Sequence, residues 1–290
     1  MTQSRIEQAL EAAIASAERP GCPPELAKAL RYAVFSGGAR VRPRLCAAVA
    51  AACGDDAPGF SDAAAAAIEL LHCASLVHDD LPCFDNASLR RAKPTVHVTF
   101  GEPIALLVGD GLIVLAFETV ARAAVRYGAS DRLARVIKIV ARGVGAPGGL
   151  VAGQAWESEA TIDVDRYHHA KTGALFVAAT MAGAAAAGAD PLPWRPLGHH
   201  LGAAYQIADD LLDAMNGDDD GGKPTGQDRV HGRPSAVASF GIAGAVERLH
   251  AQIEAAVSAV PDCAGANELR ELVRMQAARL APKSLALSAA

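Results

Sequence analysis

The chain has 290 residues, of which 51% are hydrophobic, 4% are aromatic and 20% are charged. Its formal net charge of −5 and the absence of any Lys/Arg run exclude a broadly basic surface for nucleic acid. The six cysteines form no C-x-x-C pair, and the first residues predict an amphipathic helix rather than a signal peptide. We therefore expect a cytoplasmic protein.

Apolar residues recur at helical spacing in nearly every segment between glycine and proline breaks, and no convincing alternating strand pattern is present. The most apolar stretch, 173–188, is too short for a membrane span and predicts a central buried helix. No break is long enough for a domain linker, so we expect one all-helical domain over residues 1–290. The predicted helices cover 3–18, 24–35, 41–53, 61–80, 102–127, 130–144, 165–188, 194–215, 233–258 and 266–280.

The first acidic cluster contains Asp79, Asp80 and Asp85, with Pro82 between them. Asp79 and Asp85 would point to different faces of an unbroken helix, but a proline tends to end the helix before it. Asp85 can then fold back from the following turn. Carboxylates at a helix C-terminus face the unfavourable end of its dipole, so a bound metal explains them better than helix stability does.

The second acidic cluster contains Asp209, Asp210 and Asp213. Asp209 and Asp213 share a helix face, and the preceding residues are apolar, so unpaired carboxylates would be costly there. Oxygen ligands with room for water and phosphate suit Mg²⁺ rather than zinc or copper. For either cluster alone, a solvated acidic turn is an equally good interpretation.

Basic residues follow both acidic clusters: Arg90 and Arg91 follow the first, and Lys223 follows the second. This composition suits a site in which metal ions hold one side of a diphosphate and Arg or Lys holds the other. The alternative for the arginines is a solvated surface pair.

Two further basic groups are candidates for binding an anion. In 37–43, a Gly-Gly turn precedes Arg40 and Arg42 at the start of a helix, where anions bind readily. Lys171 is nearly isolated within apolar sequence. The alternatives are an ordinary helix N-terminus and a snorkelling lysine.

These residues, in this order, resemble the trans-prenyl diphosphate synthases, most specifically in 72–97 and 205–213. Within that family, 37–43, 149–159 and 168–176 are similar to the bacterial geranylgeranyl diphosphate synthases of carotenoid and bacteriochlorophyll pathways. The resemblance implies the isoprenoid synthase fold, with helices around a deep central cavity, usually in a homodimer. It also implies head-to-tail condensation of isopentenyl diphosphate with allylic diphosphates, with Mg²⁺ as cofactor and three ions in each site.

The resemblance also implies roles for individual residues. The implied metal ligands are Asp79, Asp80, Asp85, Asp209 and Asp213, and the catalytic set adds Asp210, Arg90 and Lys171. The implied allylic diphosphate contacts are Arg90, Lys171, Thr172, Gln206 and Lys223. Isopentenyl diphosphate would contact Arg42, His72 and Arg91, with Arg40 as a further candidate.

Departures from the family pattern concern charge. Ala39 and Gln227 stand where the family usually has lysine, and Arg40 is a possible substitute for the first. Ala87 and Ser88 replace common acidic residues. No principal metal ligand is lost, so we expect changes in substrate affinity rather than in reaction type.

Product length is expected to depend on Ala74 and Ser75, which lie about one turn before Asp79 on the same helix. Farnesyl-producing relatives resemble this chain but carry a bulky aromatic residue at one of these positions. The small pair predicts a twenty-carbon product, geranylgeranyl diphosphate, with farnesyl diphosphate as the alternative.

Three other interpretations remain open. A class I terpene cyclase would also use an aspartate-rich helix, but it needs no second diphosphate site and usually more aromatic residues than the 4% present. A non-catalytic subunit of another prenyl synthase would be expected to lose aspartates, and here both clusters are intact. The third is a helical binding module with accidental acidic turns.

Overall fold

The computed structural model describes residues 2–215 and 235–277, which form a predominantly helical body. A short hairpin pairs β1 (Leu89–Arg90) with β2 (Lys93–Pro94) in antiparallel fashion. The helices are α1 (Thr2–Ala17), α2 (Pro24–Phe35), α3 (Val41–Ala52), α4 (Pro58–Asp79), α5 (Val96–Phe100), α6 (Glu102–Arg126), α7 (Ser130–Val144), α8 (Leu150–Ala155), α9 (Val164–His168), α10 (Ala174–Ala186), α11 (Arg195–Met215), α12 (Ala236–Ser258) and α13 (Ala266–Ala277).

Helix α10 lies at the centre of the body and is buried along nearly its whole length. It packs against α3, α4, α7 and α11. Its residues are mostly alanine and glycine, so neighbouring backbones approach closely. A Cβ built on Gly183 would lie 2.2 Å from the carbonyl oxygen of Cys46, and only glycine fits where α10 crosses α3.

Helix α4 ends in the first acidic cluster and is buried on almost every side. Residues 63–67 are five consecutive alanines, all buried, which form helix readily and keep the helix thin. Packing against α3, α6 and α10 therefore fixes α4 along its length and holds Asp79 at its end.

The predicted all-helical class is confirmed, and the predicted bounds of α2, α6 and α7 agree with the structure to within one residue. The predicted helix 165–188 is instead three consecutive pieces. They are α9, a π-helical turn at His169–Gly173, and α10. The central cavity and the single domain over residues 1–290 stay predictions.

Among the described residues, α5, α8 and the β1–β2 hairpin were not predicted, and neither were the 3₁₀ turns at Trp156–Ser158 and Leu192–Trp194. Strands of two residues are too short to produce an alternating pattern. The hairpin turn contains Arg91 and Ala92, whose φ angles of 54° and 60° are those of a type I′ turn, although neither is glycine. The predicted loop 217–228, with Lys223 and Gln227, lies outside the described residues.

Candidate active site

The end of α4 reverses the chain within the first acidic cluster. The Leu81 amide donates to the His78 carbonyl at 3.1 Å, and the Asp85 amide donates to the Asp79 carbonyl at 2.9 Å. Helix α4 stops before Pro82 because proline disfavours a helical residue before it. The predicted return of Asp85 to Asp79 is confirmed at the level of the backbone.

Asp80 is held by a bidentate contact from Arg90 on β1. Arg90 Nε donates to the two carboxylate oxygens at 3.0 and 2.8 Å, and Nη2 donates at 2.7 Å. Burial alone would lower the pKa of Arg90, but the hydrogen bonds and charge of Asp80 raise it above its usual value. The hairpin thus keeps a fully charged guanidinium beside the first cluster.

Asp79 is 8% exposed and is contacted from two other elements. Gln154 on α8 donates to Asp79 Oδ1 at 3.2 Å and to the Ser75 carbonyl at 3.1 Å. Lys171 Nζ lies 3.7 Å from Asp79 Oδ2 and also donates to Glu157, which accepts a second hydrogen bond from Tyr167. Two other segments, α8 and the π-helical turn, therefore converge on one carboxylate.

Gln154 and Glu157 were not assigned a role from the sequence. Both lie in the segment 149–159 that carries part of the family resemblance, and that was the available signal. Their contacts with Asp79 and Lys171 make them part of the site.

The π-helical turn that contains Lys171 is fixed by two glycines. A Cβ on Gly153 of α8 would lie 2.4 Å from the Lys171 backbone, and a Cβ on Gly202 of α11 would lie 2.6 Å from Gly173 Cα. Backbone therefore packs directly on backbone from both sides. This contact determines where Lys171 and Thr172 point.

The second acidic cluster is divided between two faces of α11. Asp210 is 3% exposed, accepts from Gln206 Nε2 at 2.9 Å, and accepts from the Ala236 amide at 2.6 Å. Asp209 is exposed and Asp213 is partly buried. Asp210, predicted with the catalytic set, thus connects α11 to the start of α12.

Adjacent residues of the π-helical turn connect the two acidic clusters. Lys171 contacts Asp79, whereas Thr172 Oγ1 donates to Gln206 Oε1 at 2.6 Å on the helix that carries Asp209. Both clusters consequently flank one short segment. Surface turns formed independently would share no such connection.

Arginines surround His72 next to the first cluster. Arg42 lies with Cζ 4.5 Å from the centre of the Phe176 ring, and its Nε is buried with no hydrogen-bond partner among the described residues. Arg91 donates to the Gly37 carbonyl. Burial, together with the charges of Arg42, Arg91, Arg90 and Arg40, holds the pKa of His72 well below its usual value, so the ring is neutral near pH 7.

Arg40, a predicted contact of isopentenyl diphosphate, points into the protein instead. It is 5% exposed, and its three guanidinium nitrogens donate to Glu7, Glu69 and the Val34 carbonyl. Each guanidinium nitrogen is therefore already held by a protein acceptor, which disfavours Arg40 as a replacement for the lysine missing at Ala39.

Ala74 and Ser75 are 1% and 8% exposed on the last turns of α4. Ser75 Oγ donates to the His72 carbonyl at 2.7 Å, and the Ser75 carbonyl accepts from Gln154. The two predicted length-determining residues therefore lie next to the group that contacts Asp79.

A helical body that joins two carboxylate clusters and several cations has the architecture of an enzyme acting on diphosphates. Residues 23–274 match the family model of the polyprenyl synthetases. The chain is 51% identical over 284 residues to a geranylgeranyl diphosphate synthase of Cereibacter sphaeroides, covering 98% of both chains. It is 49% identical over 276 residues to that of Rhodobacter capsulatus, covering 95% of both.

Solved structures agree with these relatives. A geranyltransferase from Helicobacter pylori, complexed with magnesium and isoprenyl diphosphate, superposes with a TM-score of 0.77 at 27% identity. The match covers 94% of this chain and 96% of that chain. The chain belongs to the polyprenyl synthetase family and has the isoprenoid synthase fold, and it is a prenyltransferase.

Proposed function

We propose that the chain condenses isopentenyl diphosphate head to tail with allylic diphosphates and forms geranylgeranyl diphosphate. The observation that supports this most directly is the link through Lys171 and Thr172 between Asp79 and the helix of Asp209. The identity to two geranylgeranyl diphosphate synthases over nearly the full length supports the twenty-carbon product.

The donor set fits magnesium. The proposed ligands are Asp79, Asp80, Asp85, Asp209 and Asp213. All supply carboxylate oxygens, which Mg²⁺ prefers, and the dipole of α4 disfavours uncompensated negative charge at Asp79. Bound magnesium would neutralise charge that develops on a leaving diphosphate. The magnesium in the Helicobacter pylori structure supports this proposal, to which we add a count of three ions.

Two groups of side chains would hold the two diphosphates. The proposed contacts of the allylic diphosphate are Arg90, Lys171, Thr172 and Gln206, with Lys223 outside the described residues. Arg42, His72 and Arg91 would hold isopentenyl diphosphate. The buried Nε of Arg42, which has no hydrogen-bond partner within the part of the chain that the structure describes, supports this assignment.

Carbon–oxygen cleavage in the allylic substrate would give a carbocation, which the double bond of isopentenyl diphosphate attacks. The departing diphosphate, held by Arg90 and Lys171, would accept the proton lost afterwards. His72 is neutral and surrounded by arginines, so we do not assign it the role of base. Apolar residues of α4 would exclude water from the cation.

The test is incubation of the purified protein with Mg²⁺, isopentenyl diphosphate and each allylic diphosphate, followed by measurement of product length. Twenty carbons are expected, and Asp209→Asn should reduce turnover strongly. Asp131→Asn, a 77% exposed aspartate side chain on α7, is the matched control. No condensation, or a cyclic hydrocarbon from one substrate, would overturn the proposal, and a fifteen-carbon end product would replace it with a farnesyl diphosphate synthase.

We further propose a homodimer in which α6 contributes to the interface. Leu107, Val114 and Val125 are 51%, 66% and 78% exposed and lie along one stripe of α6. An apolar stripe of this kind is typical of a surface covered by another chain. Sedimentation should therefore give a dimer, and Val114→Asp should shift it toward monomer. Leu192→Asp, at an equal exposure of 66%, should not.

We also propose a cytoplasmic location. All six cysteines are free thiols. Helices α4 and α6 are long and apolar enough to cross a membrane, but 78% of the most apolar window of α4 is buried inside the body. The exposed part of α6 is the proposed subunit interface, so fractionation of cells should recover the protein without detergent.

A further inference from the structure

We propose that the Arg40–Glu69 ion pair positions the residues that bind isopentenyl diphosphate, and that Arg40 itself does not contact this substrate. The inference rests on the proposed function. It assigns the same positioning role to Glu69, for which the sequence suggested no function.

Each nitrogen of the Arg40 guanidinium donates to a protein acceptor. Nη1 donates to Glu69 at 2.8 Å, Nε donates to Glu7 at 3.0 Å, and Nη2 donates to the Val34 carbonyl at 2.7 Å. The side chains of Arg40 and Glu69 are 4% and 3% exposed. Because Arg40 is only 5% exposed, a diphosphate could reach it only by displacing these partners.

The pair joins two elements that carry proposed substrate contacts. Arg40 is the residue before α3 and stands two positions before Arg42. Glu69 lies on α4 three positions before His72, which places the two on neighbouring positions of one helix face. Glu7 extends the connection to α1.

The backbone at Arg40 depends on this connection. Its φ of 51° is in the left-handed region, which costs free energy for a residue other than glycine and persists where surrounding contacts impose it. The preceding Gly37 and Gly38 also have positive φ, and the Gly37 carbonyl accepts from Arg91. If the pair is broken, Arg42 and the Arg91 contact should shift together.

A buried ion pair is weak support for stability, since desolvation offsets much of the attraction, but removing one partner leaves a charge uncompensated. The consequence should be local to one substrate. The allylic diphosphate contacts, Arg90 and Lys171, are held by Asp80 and Glu157 and do not involve this pair.

The central experiment uses Glu69→Gln, which keeps the shape of the side chain and removes its charge. We expect KM for isopentenyl diphosphate to rise about tenfold and KM for the allylic substrate to change less than about twofold. Calorimetric titration with isopentenyl diphosphate should show the same loss of affinity. The matched control is Glu18→Gln, which removes one of two carboxylates from the partly exposed Arg31 and should change neither KM.

Two further variants distinguish positioning from direct contact. Arg40→Lys keeps the charge but cannot donate to three acceptors from one planar fork, so it should reproduce the Glu69→Gln result. The double variant Glu69→Gln with Arg40→Lys should lose no more affinity than either single variant, because the two residues act as one pair. An additive loss would instead indicate that Arg40 contacts the substrate independently of Glu69.

The outcomes distinguish a failure of this inference from a failure of the proposed function. Normal turnover with an unchanged KM for isopentenyl diphosphate in Glu69→Gln overturns the inference alone, as does an equal rise in both KM values accompanied by a lower melting temperature. A wild-type protein that neither binds nor condenses isopentenyl diphosphate overturns the proposed function and, with it, this inference.

Discussion

Ala74→Phe should shorten the product from twenty to fifteen carbons. Ala74 lies five residues before Asp79, about 7.5 Å along the axis of α4. A phenylalanine ring extends roughly 4 Å beyond the alanine Cβ, and a five-carbon unit with four main-chain bonds extends roughly 5 Å. The ring should therefore occupy the length of about one such unit.

The substitution also has a cost in stability. Ala74 is 1% exposed within the main apolar cluster, so the added ring should reduce the free energy of unfolding by about 1–3 kcal/mol. Ala65→Phe is the control, because Ala65 is 0% exposed on the same helix, nine residues away and on the opposite face. It should be destabilised to a similar degree and still make the twenty-carbon product.

The assay combines product chromatography with thermal unfolding of both variants. Ala74→Phe that still releases twenty carbons at normal turnover would refute the placement of the growing chain along α4. If Ala65→Phe shortens the product equally, the effect arises from general loosening of the core.

Three more predictions follow from contacts at the site. Arg90→Lys loses the bidentate contact with Asp80. Transition-state stabilisation should therefore weaken by about 1.5–3 kcal/mol, and kcat/KM should fall accordingly. Unchanged kinetics would contradict this role of Arg90. The pKa of His72 is depressed in the folded state, so the unfolded chain binds more protons below about pH 6.5 and stability falls as pH decreases. In denaturant titrations between pH 7.5 and 5.5, the free energy of unfolding of His72→Asn should fall by about 1 kcal/mol less than that of the wild type. An unchanged dependence of the free energy of unfolding on pH would contradict this prediction. Gly202→Ala should lower both turnover and melting temperature because its Cβ meets the backbone of the π-helical turn. Gly148→Ala, whose Cβ would meet no described atom within 4 Å, should change neither.

Helix positions could be read from the sequence because glycine and proline mark most of the ends. Pro82 even allowed the return of Asp85 to be predicted, since proline acts on its immediate neighbours. The β1–β2 hairpin could not be predicted, because two-residue strands have no periodicity and its turn lacks the usual glycine or asparagine.

The site was predictable as residue types but not as partners. Arg40 was interpreted as a substrate contact because cations at a helix start attract anions. Its partners, Glu69 and Glu7, are separated from it by 29 and 33 residues, a distance at which one sequence contains no local signal. The contact of Gln154 with Asp79 could not be predicted for the same reason, because the two residues are separated by 75 positions.

The π-helical turn limits where the chain can lose a residue. It closes with one residue more than an α-helical turn, so deleting one position within 169–173 would let the segment become α-helical. Each residue of an α-helix turns by about 100°, and everything before the deletion would rotate by that amount relative to α10. Lys171 or Thr172 would then lose its partner, while a deletion in the neighbouring loop 159–163 would leave both in place. Within this part of the chain, length variation should therefore be tolerated in the loop and excluded from the turn.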